Sequence, residues 1–80
     1  MIEAERIKVL AEFENGGVVP RIFKWHNKNY KIKEVCLSYQ EREGNWINYL
    51  FSAETAGGIY KLKFSSGSLL WTIEEIQCDI

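Results

Sequence analysis

Little in this chain points to chemistry. Its 80 residues include one histidine, one proline, one methionine and two cysteines. Cys36 and Cys78 lie far apart, neither in a CxxC pair nor in a Cys/His cluster. That disfavours zinc and redox sites, and a small secreted domain would normally carry more bridges than one. No apolar run is long enough for a membrane helix. The opening MIEAERIKVL has acids and an arginine where a signal peptide needs a basic start and unbroken apolar residues. The chain therefore reads as cytoplasmic and reduced, with no membrane association, cofactor or metal. Net charge is nearly absent as well, at -1, with both signs interspersed, so global electrostatics selects no partner.

Large apolar side chains are plentiful. Apolar residues make up 46% of the sequence, and three Trp, four Tyr and four Phe supply most of the bulk. Residues 1–80 read as a single domain. A chain this short buries only about 60% of its unfolded surface, and aromatics fill such a core at modest entropic cost.

The spacing of these residues predicts strands. In Arg6 to Phe13, Ile7, Val9, Ala11 and Phe13 alternate with Arg6, Lys8, Leu10 and Glu12. A short helix over residues 2–12 competes, because Ile2, Arg6, Val9, Leu10 and Phe13 also approach helical spacing; β-branched Ile7 and Val9 and the lack of an N-cap favour the strand. Asn15-Gly16 marks a hairpin turn. A second strand, Val18 to Trp25, carries Pro20 near its start, which implies an edge. The polar run His26-Asn27-Lys28-Asn29 then turns the chain into a third strand, Tyr30 to Gln40. Tyr30 and Ile32 share one parity there while Val35, Leu37 and Tyr39 share the other, which predicts a bulge near Lys33 and Glu34. Strands Trp46 to Thr55, Ile59 to Phe64 and Leu69 to Ile73 follow, joined by Ala56-Gly57-Gly58 and Ser65-Ser66-Gly67-Ser68. The end, Glu74 to Ile80, either extends the last strand or forms a helical turn. The expectation is an all-β, small antiparallel half-open barrel or sandwich of about six short strands. Its core should hold Phe13, Phe23, Trp25, Tyr30, Ile32, Val35, Leu37, Phe51, Tyr60, Leu62, Phe64, Trp71 and Ile73.

The stretch from Pro20 to Val35, PRIFKWHNKNYKIKEV, resembles a family of short bacterial domains without assigned function. They share a Pro, an aromatic, a Trp, a polar turn, a Tyr and a Val, then a YxLxF strand and a terminal Trp strand. Tyr60-Lys61-Leu62-Lys63-Phe64 and Trp71-Thr72-Ile73 look like the later elements, whereas Tyr39 stands where the pattern often has Trp. Similar segments occur at the ends of some translesion-type DNA polymerases. The resemblance implies a role in DNA maintenance and carries no active-site residues.

Charge is uneven along the chain. Arg21, Lys24, Lys28, Lys31 and Lys33 fall in one acid-free segment, Lys61 and Lys63 lie on a later strand, and Glu3, Glu5, Glu12, Glu14, Glu74, Glu75 and Asp79 load the ends. Cations interleaved with Trp25, Tyr30 or Trp46 would suit single-stranded nucleic acid, with rings on bases and lysines along phosphates. The competing reading is a solvated face whose lysines protect a sheet edge. A third is an interaction module that pairs an open edge with a protein partner or its own copy, helped by Leu10, Leu50 and Leu70 if they cluster. Catalysis has no support: His26 falls in a turn, Cys36 in a strand expected to be buried, and no nucleophile elbow or phosphate loop is present. The expected function is a binding module, not an enzyme.

Overall fold

The computed structural model describes residues 4–77. The chain forms seven antiparallel strands: β1 (Glu5–Glu14), β2 (Gly17–Trp25), β3 (Lys28–Lys31), β4 (Glu34–Glu43), β5 (Trp46–Thr55), β6 (Gly58–Ser65) and β7 (Trp71–Gln77). Among the described residues there is no helix, and so none long and apolar enough to cross a membrane. The sheet runs β3-β2-β1-β7-β6-β5-β4 and curls into a half-barrel. This is the all-β half-open barrel expected from the spacing, with the first segment a strand and the last strand extended through Gln77. Cys78, Asp79 and Ile80 lie outside the described residues.

The turns follow from residues that accept positive φ. Asn15 (53°) and Gly16 (76°) form the first hairpin as a type I′ turn. His26 (52°) and Asn27 (60°) make a second turn of the same type without glycine. Gly44, at φ 62°, begins the β4–β5 turn in the manner of type II′.

One strand changes partners and one short connection crosses between partners, and this folds the sheet into two leaves. β1 pairs with β7 over Glu5, Arg6 and Ile7. From Lys8 onward it pairs with β2 instead. β3 pairs with β2 and β4 with β5, with only Ile32 and Lys33 between them. At this corner the Ile32 N–H donates to the Arg21 carbonyl (2.9 Å) and the Lys33 N–H to the Glu54 carbonyl (2.7 Å), one contact to each leaf. The smaller leaf is thus β2, β3 and most of β1; the larger is β4 to β7 with the start of β1. Strands that bend between leaves make the corners of orthogonally packed barrels. The six expected strands become seven because the third is broken at this corner. Pro20 sits opposite Ala11 in the half of β2 that β3 does not reach, so its missing donor is tolerated although β2 is internal in the strand order.

The interior lies between the leaves. Val18 and Phe23 from β2 meet Phe51, Ala53, Tyr60, Leu62, Phe64, Trp71 and Ile73 from the larger leaf. Phe23 is 0% exposed; burying a ring of that size stabilises by about 2–3 kcal/mol. It stacks on Tyr30 (4.8 Å between centroids) and meets Tyr60 edge-on (5.3 Å), joining the leaves.

Some of the expected core is corrected. Phe13 is 67% exposed, touching the interior through an edge-to-face contact with Phe64 at 5.9 Å. Leu37 is 56% exposed. The cause is a second irregularity in the third sequence strand: Val35 pairs with Ala53 and Leu37 with Ser52, leaving Cys36 as an extra residue. The bulge reverses the side-chain alternation, turning Leu37 and Tyr39 outward. Cys36, expected to be buried, is exposed there. Leu10, Leu50 and Leu70 share no patch. Leu10 is exposed on the outer face of β1 and Leu50 is buried (4%) on the outer face of β5, opposite Tyr39 and Lys63. Leu70 lines a groove beside β1.

Candidate functional site

The cations expected to act together fall into three groups. On the outer face of the smaller leaf, Lys8 of β1 stands directly opposite Lys24 of β2. Leu10 faces Ile22 one step along, and Ile22 faces Lys31 of β3. These lysines are exposed, and among the described residues none of them pairs with a carboxylate. Like charges directly across a ladder destabilise it, and a bound anion would relieve that repulsion. Arg21, the extra residue where the β1–β2 register shifts, pairs through Nε with Glu12 Oε1 and is partly neutralised.

A second group lies at the β3–β4 corner. Lys28, Lys31 and Lys33 border a groove of about 360 Å³ that also contains Tyr30 and the Ala56-Gly57 turn. Tyr30 is partly covered: Phe23 stacks on its ring, and Lys28 Nζ sits 5.5 Å over its centroid. Glu54 lies close to Lys33, lining an adjoining groove with it.

The third pair belongs elsewhere. Lys61 and Lys63 project from the outer face of the larger leaf, Lys61 Nζ lying 5.7 Å over the Tyr39 ring and Lys63 opposite Leu50. That face also carries Glu41 opposite Asn48, and Glu43, which accepts a hydrogen bond from Asn48 Nδ2 (2.9 Å). It mixes both signs of charge with apolar side chains rather than forming a basic band.

Trp25 does not present its ring with the lysines. It packs against the core, 6.2 Å from both Tyr30 and Tyr60, and stacks with His26 at 4.2 Å. Its indole N–H is buried without a partner. His26 is held at the turn, with Nε2 3.2 Å from Glu5 Oε1. The lysines of the smaller leaf thus have neither Trp25 nor Tyr30 beside them as an open ring, and the exposed ring that does lie under a cation, Tyr39 beneath Lys61, belongs to the other leaf.

Sequence reasoning missed one groove. Where β1 leaves β7, a space of about 580 Å³ opens, lined by Arg6, Lys8, Lys24, Asn27, Leu69, Leu70 and the Ile7, Val9 and Trp71 positions, with no carboxylate among them. One wall is unusual: Leu69 has φ 61° and is 69% exposed. The left-handed region costs a side chain with a Cβ about 1–2 kcal/mol. The loop enforces it, since the Leu69 N–H donates to the Ser65 carbonyl (2.7 Å) and the Ser65 N–H to the Leu70 carbonyl (3.1 Å). Ser65 Oγ also accepts from the Gly67 and Ser68 N–H groups.

No family model, curated protein or solved structure matches this chain. The site must therefore be read from its own chemistry.

Cys36 is the one thiol among the described residues. Desolvation, then the negative charges of Glu54 and Glu34, push it up from the ordinary thiol value, and its Sγ lies 3.8 Å from Glu54 Oε1. A raised thiol is a poorer nucleophile near neutral pH.

Proposed function

We propose that this chain is a cytoplasmic binding module that holds the phosphate backbone of nucleic acid across the β2–β3 hairpin. The observation that carries the reading is the direct opposition of Lys8 and Lys24 on an outer face, beside a groove whose lining adds Arg6 and no acid. Lys31 continues this positive band toward the corner groove at Lys28 and Lys33. Such a band neutralises successive phosphates and releases their counterions, which makes binding depend on salt. The resemblance of residues 20–35 to short bacterial domains, similar to segments at the ends of some translesion-type DNA polymerases, is in keeping with this reading.

Anisotropy titration with a short, labelled, mixed-sequence single strand over a series of salt concentrations tests this. Replacing Lys8 and Lys24 together by Gln is expected to weaken binding about tenfold at low salt and to reduce the log-log salt slope by about 1.4, the share of two phosphate contacts. Unchanged affinity and slope in that double variant would remove the reading.

A second reading rests on β4, a ten-residue strand that pairs with β5 and with no other strand among the described residues. Leu37, Tyr39 and Trp46 are exposed on its leaf. An edge of this length beside apolar side chains suits strand pairing with a protein or a second copy.

A further inference from the structure

We infer that the groove between β1 and the β6–β7 loop seats one unpaired nucleobase, with its flanking phosphates on Arg6, Lys8 and Lys24, so that the module selects single strands over duplex. This rests on the reading above and adds where the base goes. Three observations converge. The groove has the volume of a small-ligand site, about 580 Å³. Cations and an apolar wall share it without the acids that intervene on the outer face of the larger leaf; the corner groove also joins lysines to apolar lining, but Phe23 stacks on its one ring, Tyr30. Finally, the wall residue Leu69 is strained and exposed, so its conformation serves no packing in the core. Strain that the surroundings enforce and the core does not use is characteristic of ligand clamps. Asn27, also at positive φ, supplies an amide that can both donate to and accept from a base edge.

The groove is too short on aromatic surface for sandwich stacking. The expected contact is a base lying on Leu69 and Leu70, with its backbone held where β1 and β2 bring Lys8 and Lys24 together. A base paired within a duplex cannot enter such a space without leaving the stack.

The test compares a short single strand with its abasic counterpart, which keeps the phosphates and lacks the bases, and with a duplex of equal length. The protein is used as the whole chain, in the wild type and in Leu69→Gly. That variant removes the Leu69 part of the wall while suiting the backbone, so it should fold at least as well. The wild type is expected to bind the base-bearing strand about fivefold or more tighter than the abasic one, and Leu69→Gly to bind the two equally. Equal binding of both strands by the wild type, with strong salt dependence, would overturn the base seat and leave the phosphate reading standing. Binding to neither would overturn both. A base preference that survives in Leu69→Gly would place the base elsewhere and overturn the inference. So would tighter binding of a glutamate-rich peptide with the same Leu69 dependence, which would mark the groove as a strand-addition site along β1.

Discussion

At the scale of single residues, contacts that cannot yield are the most informative. The Trp46 indole lies across Gly67, so close that a Cβ added there would sit 2.8 Å from its Cγ. The neighbour is a ring rather than the far end of a flexible chain. Gly67→Ala should therefore lower stability by about 1–2 kcal/mol in urea denaturation. In a Trp46→Ala background the same change should cost almost nothing, since the obstructing ring is gone; an equal cost in both backgrounds would show that the contact is not the reason. The sequence announces a turn at Ser65-Ser66-Gly67-Ser68 through its composition, but it does not announce Leu69. Leucine has no preference for positive φ, and only the hydrogen bonds that Ser65 exchanges with Leu69 and Leu70 impose it. Trp25 illustrates the converse: its place beside lysines in sequence suggested a shared surface, whereas burial against Tyr30 and Tyr60 decided its direction.

At the scale of elements, β4 is the least satisfied strand. Its charged end, Glu41-Arg42-Glu43, discourages edge pairing, while Leu37 and Tyr39 invite it. If the invitation prevails, sedimentation velocity should show a concentration-dependent shift that Leu37→Lys combined with Tyr39→Lys abolishes. One monomeric species at every concentration would leave β4 a protected edge. The same strand shows how far alternation can be read. The phase change between Ile32 and Val35 is visible in the sequence and corresponds to the corner at Ile32-Lys33. The bulge at Cys36 is not visible, because apolar residues continue at the same parity through Val35, Leu37 and Tyr39 and no glycine marks the extra residue. Hairpins fared better: Asn15-Gly16, His26-Asn27 and Ala56-Gly57 each occupy the turn their residue types suggest. Among the site residues, those of the β2–β3 hairpin were legible because they are local. Arg6 and Lys8 join them only through the pairing of β1 with β2 and β7, which strand periodicity does not specify.

For the whole molecule, the decisive feature is that β1 belongs to both leaves. Before Lys8 it has a strand on the β7 side; from Lys8 on, no strand pairs with that side among the described residues, and successive peptide groups point alternately toward β2 and toward the unpaired side, which the groove borders as far as Val9. Hydrogen exchange should record this as a period of two. Amides of β1 directed at β2 would exchange slowly, their neighbours on the unpaired side quickly, although all belong to one continuous strand. A molecule seated in the groove, which meets β1 only from Arg6 to Val9, would slow the fast amide there and leave the alternation toward Glu14 unchanged, so one backbone amide set against its own strand would report occupancy.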